Sequence, residues 1–158
     1  MSSLKTLEGD LIARDLRVAI VAARFNDFVV ERLVTGAIDA LVRHGASEKG
    51  IELVRVPGAF DMPLIVKRLA LSKRYDAIVA LGAVIKGETA HFDFVAGECA
   101  AGVARAAQEA GIPVGFGVLT CDTLDQAIDR AGGKAGNKGA DAALAAIESV
   151  NVLRSVKG

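Results

Sequence analysis

No excess of either charge marks this chain: Lys plus Arg number 19 and Asp plus Glu number 19. With no basic stripe and no acidic tail, there is no electrostatic reason to expect nucleic acid or an anionic membrane as a partner. Cysteine is scarce, at two residues, and Cys99 and Cys121 form neither a paired metal-ligand spacing nor a disulfide framework. That fits a reducing compartment and predicts no metal. No apolar run reaches the roughly 20 residues that a membrane span requires. Met1 to Lys5 lack the apolar core of a signal peptide, so a cytoplasmic protein is expected. What is abundant is apolar character, 52% of 158 residues. This length suits one domain, residues 1–158, with an arm over 1–16 and a core over 17–156. The surplus of apolar residues is expected to be buried between subunits.

Strand and helix patterns alternate along the core. Short runs at Arg17–Ala23, Ile51–Val56, Ala77–Ile85 and Ile112–Leu119 read as strands, the apolar Ala77–Ile85 as one buried on both faces. Between them, apolar residues recur at helical spacing after Asn26-Asp27, from Pro63 and from Phe92, then after Thr123 and from Ala140 to about Val156. Asn26 or Asp27 is expected to cap the first helix, and Pro63 to occupy the first turn of the second. Thr123 followed by Gln126 is a capping-box pattern for a helix ending at Gly132-Gly133, with Arg130 in its last turn. Residues 1–16 read as a loose arm or an edge strand. Together these predict an α/β fold with a four-stranded parallel sheet and right-handed crossovers.

The chain is organised around Ala77–Phe94, A-I-V-A-L-G-A-V-I-K-G-E-T-A-H-F-D-F. An apolar strand breaks into Lys86, Gly87, Glu88 and Thr89, and His91 opens the next helix. In open α/β sheets ligands bind outside the carboxyl ends of the strands. Unpaired N–H groups at a helix start suit phosphate. Taken alone, Thr89 is a helix cap and Gly87 a turn glycine. A histidine in the first turn beside a strand end, however, is where proton transfer is expected. His44, by contrast, reads as a charge at a helix carboxyl terminus. The glycine-rich G-G-K-A-G-N-K-G, Gly132–Gly139, lacks Walker spacing and follows a helix, so it reads as a flexible link and not a nucleotide loop.

Phe25-Asn26, V-P-G-A-F-D-M-P, G-A-V-I-K-G-E-T-A-H-F-D, F-G-V-L-T and R-A-G-G-K-A-G-N-K-G, in this order and spacing, resemble the 6,7-dimethyl-8-ribityllumazine synthase family. The likeness covers nearly the whole chain. It implies a flavodoxin-like three-layer α/β/α sandwich and the penultimate step of riboflavin biosynthesis. There, 5-amino-6-ribitylaminouracil condenses with 3,4-dihydroxy-2-butanone 4-phosphate, with no cofactor. By resemblance His91 is the proton donor and acceptor, and Arg130 binds the phosphate with Glu88 and Thr89. Phe25 stacks on the pyrimidine; Ala59, Phe60, Asp61, Ala83, Val84, Ile85 and Phe116 supply further substrate contacts. Lys138 matches a basic position, and Asp141 is expected to orient the histidine. The resemblance also implies a homopentamer, twelve of which form an icosahedral shell, and allows riboflavin synthase as a partner. Three positions depart from the family pattern: Asp61 stands for glutamate, Ala90 for proline and Cys121 for threonine.

Two other readings are weighed against this one. A non-catalytic flavin-binding container is disfavoured by the retention of His91 and Arg130. A phosphosugar lyase or aldolase would need a Schiff-base lysine or metal ligands; Lys86 is the obvious lysine candidate, and it reads as a solvated strand-end charge.

Overall fold

The computed structural model describes residues 3–156. Four strands, β1 (Val18–Ala23), β2 (Ile51–Val56), β3 (Ala77–Ile85) and β4 (Val114–Cys121), form one parallel sheet in the order β2-β1-β3-β4. Every residue of β1 is buried, as are the first eight of β3. These runs are apolar throughout because helices cover both faces. Helices α1 (Asp27–Arg43) and α5 (Lys138–Ser155) pack on the face carrying Val18, Ile20, Val79 and Leu81. Helices α2 (Met62–Leu71) and α3 (His91–Ala110) cover the opposite face, with Ala19, Val21, Ile78 and Ala80. This is the expected three-layer, flavodoxin-like arrangement. Because the period of a strand is two, successive residues serve alternate cores.

Helix α5 lies close against its neighbours, and glycine is what permits it. A Cβ on Gly139 would fall 2.1 Å from the carbonyl oxygen of Leu33 in α1, and one on Gly115 would fall 2.1 Å from that of Ala142. Neither obstacle is a movable side-chain tip. Gly139→Ala is therefore expected to destabilise the protein by about 1–3 kcal/mol through forced separation of the two helices. A thermal midpoint equal to wild type would contradict this packing account.

Several expected boundaries shift for local reasons. β4 begins at Val114 and not Ile112: Pro113 has no N–H to give, although its carbonyl accepts from Ile78 at 3.0 Å. The Thr123 capping box is present, but it opens a helix, α4 (Leu124–Asp129), that stops before the glycines and leaves Arg130 at the C-cap position. The glycine-rich link is a small hairpin, β5 (Ala131–Gly133) with β6 (Gly136–Asn137), and not a free loop. Asn137 then caps α5 by accepting from the Ala140 N–H. Over its described residues the arm forms no strand. Ala13 and Leu16 are buried in the α1/α5 core, and Asn151 of α5 donates to Asp10 and Ile12. The Ala13 N–H also donates to the His44 carbonyl at 2.8 Å, so the arm is held by these contacts in place of strand pairing.

Candidate functional site

The carboxyl ends of all four strands face one edge, where the loops leading into α1, α2 and α3 meet. The first loop is set by Asn26. It sits in the left-handed region, φ 63° and ψ 41°, a conformation that asparagine tolerates better than most residues. Its side chain does not cap α1, contrary to expectation. The β1–β3 ladder ends at Ala22 and Leu81, so Ala83 has no strand partner on that side. The Asn26 amide takes its place, donating to the Ala83 carbonyl at 2.8 Å. Phe25, one residue earlier, is anchored through its N–H to the Pro57 carbonyl at 3.0 Å. The residue is left 72% exposed at the mouth of a cleft.

That cleft has two joined parts. The inner one, a cavity of about 180 Å³, is lined by Phe25, Asn26, Ala59, Ala83–Ile85, Gly87, Thr89, His91, Phe92 and Val95. The outer one, about 590 Å³, continues over Pro57–Asp61, His91 and Phe94. The Gly58–Asp61 turn is closed twice: the Asp61 N–H donates to the Gly58 carbonyl, and the Asp61 carboxylate accepts from the Gly58 N–H, both at 3.1 Å. Helix α3 opens at His91, with no side-chain cap from Ala90, while Thr89 Oγ1 accepts from the His91 N–H at 3.3 Å. The start of a 20-residue helix therefore faces the cleft with its partial positive charge. Glu88 is exposed on the same turn. Phe92, Phe94 and Val95 were not singled out from sequence. The three- and four-residue spacing of Phe94 and Val95 from His91 in the first turn of α3 is the signal that would have found those two.

A second cavity, about 330 Å³, opens at the end of β4 on the α5 side of the sheet, lined by Val118–Cys121, Arg130, Ala135, Lys138 and Asp141. Two cations face one carboxylate there, a balance that suits an anion. Arg130 is held at both ends, Nη1 donating to the Gln126 carbonyl at 3.0 Å and the Arg130 carbonyl accepting from the Lys138 N–H at 2.8 Å. Burial pushes the Cys121 thiol above its ordinary pKa, partly offset by the Arg130 charge.

Of the residues expected from sequence, Phe25, Ala59, Phe60, Asp61, Ala83, Val84, Ile85, Thr89 and His91 come together in the first cleft. Arg130 and Lys138 do not join them within one chain, and among the described residues none lines both regions. Asp141 likewise sits with Arg130, apart from His91. Phe116 lies at mid-strand, paired in register with Ala80 and packed toward the α2/α3 core, and it lines neither region. Among the described residues no group of three or more His, Cys, Asp or Glu could hold a metal ion.

Residues 15–154 match the family model described as 6,7-dimethyl-8-ribityllumazine synthase. The chain is 56% identical over 156 residues to a protein of that name from Nitratidesulfovibrio vulgaris strain DP4, covering 99% of this chain and 100% of that protein. It is 54% identical, over the same shares, to one of the same name from Desulfovibrio desulfuricans.

Proposed function

The chain belongs to the 6,7-dimethyl-8-ribityllumazine synthase family, and from that premise we propose that the residues gathered at the carboxyl edge of its sheet carry that family's chemistry. The activity is a transferase reaction of riboflavin biosynthesis: 5-amino-6-ribitylaminouracil and 3,4-dihydroxy-2-butanone 4-phosphate give 6,7-dimethyl-8-ribityllumazine, phosphate and two molecules of water, one lost at imine formation and one at ring closure. The observation that supports the residue roles is the convergence of Phe25, the Ala83–Ile85 strand end and His91 on one cleft. Phe25 offers a flat apolar face for the pyrimidine ring. The strand end beyond the β1 ladder offers backbone groups for its polar edge. His91, exposed at the helix start, gives a proton to the hydroxyl that leaves as the first amine becomes an imine, and takes one as phosphate is eliminated. Holding the two reactants side by side lowers the barrier further. Incubating both substrates with the protein and following lumazine absorbance tests this; a rate no greater than the protein-free blank contradicts it.

The phosphate is assigned to Arg130 with Lys138, and its other side to the Thr89 and Glu88 backbone. These two groups belong to separate regions of one chain. We therefore propose that the working site forms between copies, Arg130 and Phe116 of one chain completing the His91 cleft of the next. Phe25 and Phe94, 72% and 69% exposed, are the surface such a contact would cover. The assembly proposed is a pentamer, twelve of which close into a hollow 60-subunit shell. The short β5–β6 link, without an insertion, favours the shell over a free pentamer. Sedimentation is expected to give a mass of about sixty chains; a mass of about five contradicts the shell. Residues 1–158 are read as one domain. Cytoplasmic residence is proposed on the two free thiols, and riboflavin synthase, which would consume the lumazine, as a partner.

A further inference from the structure

The second cavity depends on a helix too short to hold itself. At six residues, α4 is well below the length at which a helix is stable alone. Its start is fixed by a reciprocal pair of side chains, Thr123 and Gln126. Gln126 Oε1 accepts from the Asp122 N–H at 2.8 Å and the Thr123 N–H at 3.2 Å, just beyond the end of β4, while Thr123 Oγ1 accepts from the Gln126 N–H at 3.1 Å. The same residue's carbonyl accepts from Arg130 Nη1 at 3.0 Å. Gln126 thus joins the end of the sheet, through its side chain, to the guanidinium, through its backbone.

We propose that Gln126 is a positioning residue for phosphate: it fixes where the Arg130 guanidinium stands relative to the end of β4 without itself touching substrate. This rests on Arg130 being the phosphate ligand. A guanidinium binds phosphate through paired, directional hydrogen bonds, so its worth depends on where its fork is aimed. Without the Gln126 side chain, the Asp122 and Thr123 N–H groups lose their acceptor and α4 loses its register against the sheet. The Phe25 and His91 cleft is built from other elements and keeps its geometry.

Gln126→Leu is expected to raise KM for the butanone phosphate about tenfold while KM for the pyrimidine and saturating kcat change less than about twofold. Gln126→Glu keeps the acceptors of a capping box and is expected to restore the butanone phosphate KM to within about threefold of wild type. In the Gln126→Leu/Arg130→Ala double variant, the first change is expected to add nothing to the second, because it acts through Arg130. Equal effects on both KM values, additive losses in the double variant, or failure of Gln126→Glu to rescue would overturn the positioning role. Arg130→Ala alone separates the two claims. If it leaves the butanone phosphate KM unchanged, Arg130 is not the phosphate ligand and both claims fall. If it raises that KM and Gln126→Leu does not, only the positioning role falls.

Discussion

A His91→Ala protein is expected to form lumazine about a hundredfold more slowly at saturating substrates, with pyrimidine affinity changed less than about twofold. The size follows from what remains. General acid–base catalysis contributes about 10²–10⁴-fold where a positioned group moves the proton. The lower figure applies here because the variant still holds the reactants together, and the amine and carbonyl retain their own reactivity. The separation of kcat from affinity follows from geometry. His91 stands at the start of α3, whereas the surface proposed for the pyrimidine comes from Phe25, held by Pro57, and from the β3 end, held by Asn26. Stopped-flow turnover together with pyrimidine titration measures both. Weakened pyrimidine binding with kcat intact would make His91 a binding residue only.

For Arg130→Ala the larger loss is in substrate affinity: KM for the butanone phosphate is expected to rise about a hundredfold, against about twofold for the pyrimidine. A charge-assisted, bidentate contact to phosphate is among the stronger hydrogen-bonded interactions available to a side chain. Lys138, in the same cavity, supplies a second cation and keeps the loss from being larger. Arg130→Lys is expected to recover less than half of it on a logarithmic scale, because an ammonium keeps the charge but not the fork. Initial rates with each substrate varied in turn give the two KM values. Equal affinity in the alanine variant would remove Arg130 from the phosphate site.

The strands were the most legible part of the sequence. β3 falls at the expected residues because Ala77–Ile85 is an unbroken apolar run, and β2 because Ile51, Leu53, Val54 and Val56 sit between the breakers Gly50 and Pro57 even though Glu52 and Arg55 interrupt them. Strands of two or three residues have no period to detect, so the β5–β6 hairpin read as a flexible link. The identity of the Thr123 capping box was legible from local spacing, but the length of the helix it opens was not. Asn26 shows the limit most clearly. A residue before a helix suggests a cap, yet the unpaired Ala83 carbonyl, 57 residues away in sequence, claims its side chain. For the site, the Phe25 and His91 cleft could be anticipated because its parts all sit at strand ends. The separation of Arg130 could not, since position along the chain does not tell which face of the sheet a helix will cover.

That separation makes the account's central claim open to a direct trial: one chain supplies His91 and a neighbouring copy supplies Arg130. His91→Ala and Arg130→Ala proteins, each of low activity alone, would be unfolded, mixed in equal amounts and reassembled. In a closed ring with random neighbours, about one interface in four joins an intact His91 to an intact Arg130. Lumazine formation in the mixture is therefore expected to reach about a quarter of the wild-type rate. A rate no higher than the average of the two variants measured separately would contradict a site shared between copies.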